Sequence, residues 1–150
     1  TVAKGGYFDD LASHGLDLFN YLLGNIKEVS GISLNQQNLY SAKDALVACW
    51  LHEDGITGTG SWNFGCATRE DKVIIYGSQG TISFSIFDES PVILSNENGV
   101  LPLTIEHPEN VQLYHVESMK EQLLGSGIHP SSGKTATHTS WVMDRIMGIL

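Results

Sequence analysis

Two β-strands joined by a tight turn are predicted from ALVACWLHEDGITGTGSWNF, residues 45–64. The first, Ala45 to His52, is apolar at successive positions, which is typical of a strand covered on both faces. Asp54-Gly55 is a strong hairpin signal because this dipeptide readily adopts the backbone of a tight turn. From Ile56 to Phe64 the larger apolar residues alternate with hydroxyl and amide residues, so one polar face is predicted. Its members are Thr57, Thr59, Ser61 and Asn63.

Further strand signals lie on both sides of this hairpin. Ile26 to Leu34 predicts a strand before it, and two more hairpins follow, around Gly77-Ser78-Gln79-Gly80 and around Asn98-Gly99. The strands flanking those turns are predicted at Val73–Tyr76, Thr81–Phe87, Val92–Ser95 and Val100–Ile105. Links this short favour antiparallel pairing, because parallel neighbours need a long crossover.

Helical patterns occupy the two ends of the chain. They predict helices at Tyr7–Leu23, Val111–Leu124 and Lys134–Met147. The broad apolar face predicted for the first is formed by Phe8, Leu11, Leu16, Leu18, Phe19, Leu22 and Leu23. Strands segregated from helices favour an α+β fold, a largely antiparallel open sheet with helices on one face. A doubly wound nucleotide-binding fold would need strands and helices to alternate.

Composition excludes several classes of protein. The 150 residues, 41% of them hydrophobic, suit one globular domain spanning residues 1–150. The net charge of −9 argues against a nucleic-acid partner, and no apolar run approaches the roughly 20 residues of a membrane span. Cys49 and Cys66 lie in apolar segments typical of strands and are predicted to be small buried thiols. The absence of a predicted disulfide framework favours a reducing, cytoplasmic location.

A polar stripe on the first predicted helix carries the candidate chemistry. Asp10, His14, Asp17 and Tyr21 are spaced four, three and four residues apart, so they share one side of a helix. A carboxylate one turn from an imidazole can orient the ring, which then exchanges a proton with a substrate hydroxyl. Spacing alone also fits an ordinary solvated face. A metal site is not favoured, because two ligands are too few and no second ligand cluster accompanies them.

Residues 5–24, GGYFDDLASHGLDLFNYLLG, resemble the segment that opens the C-terminal domain of the Gfo/Idh/MocA oxidoreductases, the glucose-fructose oxidoreductase and inositol dehydrogenase family. The shared marks are a glycine-rich start, D-x-x-x-H, a later Asp and the L-L-G ending. VIIYGSQGTI, residues 73–82, is similar to the family's hairpin. SSGKTA and WVMDRI, residues 131–136 and 141–146, are similar to its closing helix.

The resemblance implies a fold, a reaction and a set of site residues. The fold would be the C-terminal domain type of glyceraldehyde-3-phosphate dehydrogenase, with a Rossmann domain expected outside this chain. NAD or NADP, held mainly by that domain, would exchange hydride with a carbon of a sugar or cyclitol. Asp10 and His14 would be catalytic and substrate-facing, with Asp17 and Tyr21 as further substrate ligands. A lysine of an E-K-P motif, which residues 1–150 lack, would complete the site.

Two functional hypotheses follow from this resemblance. In the first, the chain is the substrate-side domain of an oxidoreductase acting on CH–OH groups, inactive by itself and joined to other copies through its open sheet face. In the second, it is a non-catalytic carbohydrate-binding or oligomerisation module that retains the fold. A G-x-G-x-x-G turn and an E-K-P motif upstream of Thr1 would favour the enzyme.

The other candidate motifs are weaker. Residues 127–135 fail the P-loop pattern because Ile128 stands where a glycine is required, and a helix cap at Ser132 is favoured instead. Trp141, near other polar residues of the last helix, indicates either a contact surface or partial burial. The isolated histidines are predicted to be surface or hydrogen-bonded residues. They are His52, His107, His115 and His129.

Overall fold

The computed structural model describes residues 5–150, which form two compact units. One contains the chain up to Ala67 together with Pro130–Leu150, and the other is Thr68–His129. The helices are a π-helical turn Phe8–Ala12 continuing into α1 (Ser13–Leu23), then α2 (Leu113–Leu123) and α3 (Gly133–Met147). The strands are β1 (Ile26–Leu34), β2 (Ala45–His52), β3 (Thr57–Asn63), β4 (Val73–Gly77), β5 (Gly80–Phe84), β6 (Val92–Asn96) and β7 (Gly99–Leu103).

The first unit contains a three-stranded antiparallel sheet in the order β1-β2-β3. The predicted bounds of β1 and β2 are confirmed, and the predicted Asp54-Gly55 turn joins β2 to β3, where the His52 amide donates to the Ile56 carbonyl over 2.8 Å. The hydroxyl-rich face predicted for β3 is confirmed as the exposed face. The α+β class with antiparallel strands is therefore confirmed, although hydrogen bonding divides the strands into two sheets.

Helix α3 lies against this sheet at unusually short range. Its buried side consists of Thr139, Val142, Met143 and Ile146. A Cβ added to Gly31 of β1 would lie 2.6 Å from the Ile146 carbonyl oxygen and 2.8 Å from the Ile146 Cα. The Ser33 hydroxyl of β1 donates to the Met147 carbonyl over 3.0 Å, which ties the end of the helix to the same strand. A glycine is required here because helix backbone, and not a movable side chain, occupies the space.

Aromatic side chains fill the rest of this core. Phe8 meets Trp62 edge-on at 5.1 Å between ring centroids, and Phe19 stacks on Trp50 at 6.0 Å. A Cβ on Gly58 would lie 2.2 Å from the Trp50 Nε1, so β3 carries glycine where the indole of β2 crosses it. Trp50 of β2 and Trp62 of β3 therefore contact the first helix, while Ile26 and Val29 of β1 are buried in the same core.

The buried side of the first helix differs from the predicted one. Phe8, Ala12 and Leu16 are buried, whereas the predicted core residue Leu22 is 49% exposed. Leu22 lies six residues after Leu16 within the regular helix α1, so the two side chains point to different sides. The prediction of buried cysteines is also wrong. Cys49 and Cys66 are exposed free thiols, the first on the outer face of β2 and the second in the loop after β3.

The second unit is a four-stranded antiparallel meander, β4-β5-β6-β7, together with α2. The last turn is centred on Glu97-Asn98, one residue earlier than predicted, which moves β7 to Gly99–Leu103. Strand β5 ends at Phe84 instead of the predicted Phe87, because Asp71 binds the chain that follows. Its carboxylate accepts from the Ser85 hydroxyl at 2.5 Å and from the amides of Ile86 and Phe87. Those amides cannot then extend a strand ladder.

The surroundings of Asp71 and Asp44 displace the pKa of each carboxyl group. Burial acts to raise the pKa of Asp71, but the hydrogen bonds from Ser85 and the following amides outweigh it and hold the pKa below 3.8. Asp44, buried just before β2, accepts from the amides of Gln36 at 2.6 Å and Gln37 at 2.9 Å. These bonds hold the pKa of the Asp44 carboxyl below 3.8 and pin the loop between β1 and β2.

The close approach of the Ile146 backbone to Gly31 can be tested by substitution. We expect Gly31→Ala to destabilise the protein by about 1–3 kcal/mol, because the added methyl group meets backbone that cannot rotate away. The measurement is the free energy of unfolding from denaturant titration. Gly133→Ala is the matched control: a Cβ there contacts nothing within 4 Å, so its stability should be unchanged or slightly higher. Equal stability of the two variants would contradict the close contact.

The hydrogen bonds to Asp44 should make the stability of the protein depend on pH. Because the folded-state pKa is lowered, the carboxylate's contribution to stability is present above pH 3.8 and is lost as the pH falls through the folded-state value. Asp44→Asn should therefore melt well below the wild type at pH 7 and pH 5, and the difference should narrow below pH 3.8. Melting curves across this range test it. Glu97→Gln changes an exposed carboxylate in the turn between β6 and β7. Its melting temperature should equal that of the wild type at every pH.

Candidate functional site

A depression of about 420 Å³ lies at the polar side of α1, within the first unit. From the helix it is lined by His14, Asp17, Leu18 and Tyr21. Its opposite rim is the segment just before α3, Pro130 and Ser131. Imidazole, carboxylate, phenol and hydroxyl groups therefore meet around one concave surface. Such a set can bind a ligand with several hydroxyl groups and can exchange a proton with one of them.

The spacing along α1 explains why these side chains converge. Positions three and four residues apart share one side of an α-helix, and α1 is regular from Ser13 onward. The start of the helix is held by Asp9, whose carboxylate accepts from the Gly5 amide at 3.1 Å. A Cβ at Gly5 would lie 2.1 Å from the Asp9 Oδ1, so a side chain there would displace the carboxylate that holds the start of the helix.

Three of the four residues predicted from the stripe line the depression, and Asp10 does not. His14, Asp17 and Tyr21 are brought together, with His14 exposed and Asp17 half-buried. Asp10 lies in the π-helical turn, and its backbone carbonyl accepts from the Ser13 hydroxyl at 2.8 Å. The wider turn alters the angle between Asp10 and His14, so their four-residue spacing is not that of a regular α-helix.

Asp17 is tied to α3 by a hydrogen bond that the sequence did not indicate. The Thr139 hydroxyl donates to the Asp17 Oδ1 over 3.0 Å, and Thr139 itself is only 4% exposed. Ser131, Pro130 and Thr139 are separated from α1 by more than 100 residues of chain. No local motif marks them, because only the packing of α3 beside α1 brings them to the site.

His52, His115 and His129 make hydrogen bonds, and the prediction for His52 is confirmed, whereas the buried Nε2 of His138 has no partner among the described residues. The Trp50 indole can only donate, so the His52 Nε2 accepts from it at 3.1 Å, and the Nδ1 then carries the proton donated to the Gly24 carbonyl at 2.6 Å. This buried ring holds β2 against the end of α1. His115 and His129 do not stand alone, since the second unit brings their Nδ1 and Nε2 atoms within 3.2 Å.

Trp141, predicted to be either a contact surface or partly buried, is half-buried against the core and stacks on His138. The predicted cap at Ser132 is confirmed: its hydroxyl accepts from the Thr135 amide, and the Thr135 hydroxyl accepts from the Ser132 amide.

Within residues 5–150, no three His, Cys, Asp or Glu side chains cluster closely enough to hold a metal ion. None of the helices in that range is long and apolar enough to cross a membrane.

Comparison with known proteins identifies the family of the domain that carries this depression. The family model described as the GFO/IDH/MocA C-terminal domain matches residues 1–83, more than half of the chain, including α1 and its site residues. The chain belongs to the GFO/IDH/MocA family. A curated relative, Oxidoreductase P35 of Formosa agariphila, is 30% identical over 148 residues, which are 98% of this chain and 45% of the relative.

Solved structures share the fold of this GFO/IDH/MocA domain. An oxidoreductase from Agrobacterium radiobacter, in complex with NAD⁺, L-tartaric acid and magnesium, matches with a TM-score of 0.79 at 17% identity, over 96% of this chain and 48% of that one. A levoglucosan dehydrogenase in complex with NADH and levoglucosan matches with a TM-score of 0.77 at 13% identity, over 96% and 49%. The chain thus spans about half the length of the relatives it matches.

Proposed function

We propose that this chain is the substrate-side domain of a nicotinamide-dependent oxidoreductase that acts on a sugar, a sugar derivative or a cyclitol at a CH–OH group. One observation carries the proposal: His14, Asp17 and Tyr21 line a single depression in a domain of the GFO/IDH/MocA family. The relatives support the reaction class, since one is named an oxidoreductase and another was solved with NADH and levoglucosan.

In this proposal, His14 moves the proton of the reacting hydroxyl. When hydride leaves a carbinol carbon, the hydroxyl must lose its proton as the carbonyl forms, and an exposed imidazole can accept it. In the reverse direction the same ring returns the proton to the carbonyl oxygen. Asp17 and Tyr21 bind and orient neighbouring hydroxyl groups. Asp10 remains, from the family resemblance, the predicted partner of His14 or a ligand to a hydroxyl.

The cofactor in this proposal is NAD or NADP, which supplies the hydride transfer when bound. The described residues do not fit the dinucleotide. A pyrophosphate site needs a parallel strand, a glycine-rich turn and a crossover helix, whereas all paired strands within residues 5–150 run antiparallel. The proposal therefore assigns the cofactor mainly to a nucleotide-binding domain outside this chain. It follows that residues 1–150 alone should be inactive.

Substitution of His14 tests the assignment. In the full-length protein, His14→Ala should lower turnover of the preferred substrate by about 100-fold, because general acid–base groups contribute about 10²–10⁴-fold. Its melting temperature should not change, since the side chain is exposed. The assays use levoglucosan, D-glucose and myo-inositol as probes with NAD⁺ and NADP⁺.

His107→Ala, which removes an exposed histidine of the second unit, is the matched control and should retain full activity. Full activity of His14→Ala would remove His14 from the reaction. If wild-type protein oxidises none of the three probes, a sugar or cyclitol oxidoreductase is the wrong assignment, and a non-catalytic binding module becomes the better one.

We propose also that the outer face of the three-stranded sheet joins copies of the protein. Ile32 is 64% exposed, Leu34 53% and Val47 48%, and Ile32 pairs directly with Val47 across β1 and β2. The opposite face of the same strands is buried against α3 and α1. The outer face of β1 and β2 therefore carries exposed aliphatic side chains, which are favourable to bury against another copy.

A charge placed on this outer face should separate the copies. Val47→Lys puts an ammonium group at the centre of the face and should shift the protein to a smaller species in sedimentation velocity. Leu39→Lys is the control, because Leu39 is 75% exposed in the loop between β1 and β2 and is not on a strand of the sheet. A wild-type protein that sediments as a monomer would refute the proposal directly.

A further inference from the structure

Thr139 is a buried hydroxyl in an otherwise apolar row. It lies on the side of α3 that also carries Val142, Met143 and Ile146, and it is 4% exposed. A buried hydroxyl without a partner is costly, so its one described acceptor matters. That acceptor is the Asp17 Oδ1 on α1, at 3.0 Å. The bond joins the helix packed against the sheet to a residue that lines the depression.

The direction of this hydrogen bond is unusual for a threonine inside a helix. Such hydroxyls often donate to the carbonyl four residues earlier in their own helix. Thr137, two residues away, does so: its hydroxyl donates to the Gly133 carbonyl at 2.7 Å. Thr139 reaches across to α1 instead. Within one turn of α3, Thr137 therefore makes a contact inside the helix and Thr139 makes a contact between α3 and α1.

We propose that Thr139 is a positioning residue for substrate binding, acting through Asp17. By donating to Oδ1 it restricts the orientation of the carboxylate, so that Oδ2 is placed to accept a hydrogen bond from a hydroxyl of the substrate. This inference rests on the proposed function. It assigns a role to Thr139, which does not line the depression, and it explains how Asp17, which does line it, is oriented.

The energetic consequence is specific to binding. A free carboxylate samples several orientations, and a substrate that needs one of them must select it at a cost in affinity. Removing the Thr139 hydroxyl restores that freedom without removing the carboxylate. The Michaelis constant should therefore rise while turnover, which depends on His14, changes little.

The experiment compares three variants of the full-length protein, assayed with whichever of levoglucosan, D-glucose or myo-inositol the wild type oxidises fastest. Thr139→Val keeps the shape of the side chain and should raise KM about tenfold, with kcat changed by less than about threefold. Thr139→Ser keeps the hydroxyl and should restore a KM near that of the wild type. Thr137→Val, the matched control, should behave like the wild type.

A double-mutant cycle with Asp17→Asn separates positioning from a general packing effect. If Thr139 acts through Asp17, then Thr139→Val should add nothing to the KM of Asp17→Asn. Additive effects, or a normal KM for Thr139→Val beside an impaired Asp17→Asn, would overturn the positioning role and leave the proposed function standing. A normal KM for Asp17→Asn would overturn this inference and also remove Asp17 from the proposed site. If the wild type oxidises none of the three probes, both proposals fail.

Discussion

The contact between Gly31 and the backbone of Ile146 determines how the first unit is assembled. With no side chain on β1 at this point, α3 lies directly on the strand, and its buried side chains enter the core beside Phe8 and Leu16. The same placement brings Thr139 to Asp17 and brings the segment before α3 to the rim of the depression. A shift of α3 away from the sheet would therefore loosen the core and the candidate site together, because one helix serves both.

The polar groups of this fold have two different roles. Asp44, Asp71 and His52 make hydrogen bonds to backbone amides, a carbonyl, a hydroxyl or an indole, so they hold loops and strand ends in place. His14 and Tyr21 are exposed at a concave surface, and Asp17 shares a single oxygen with Thr139. The first group of side chains stabilises the fold, whereas the second lines the depression that the proposed function assigns to the substrate.

The two faces of the β1-β2-β3 sheet also differ in role. Its inner face is buried under α3 and α1, while its outer face combines exposed aliphatic residues of β1 and β2 with the hydroxyl row of β3. The strands of this sheet are paired antiparallel, so they do not form the crevice that binds a dinucleotide at the carboxyl ends of parallel strands. In the proposed function, this domain holds the substrate and contacts another copy through the outer face. The chain spans about half the length of its relatives.

The sequence by itself determined the order of elements, the antiparallel pairing, the hairpin at Asp54-Gly55 and the family, because period, turn residues and motif spacing are local properties. It also placed His14, Asp17 and Tyr21 on one side of α1. The π-helical turn was not predictable, since no residue type marks it, and Asp10, which lies in it, does not line the depression. Cys49 was predicted to be buried because β2 is apolar throughout, yet which face is covered depends on where α3 lies. The rim at Pro130-Ser131 and the bond from Thr139 were likewise decided only by tertiary structure, because they join parts of the chain more than 100 residues apart.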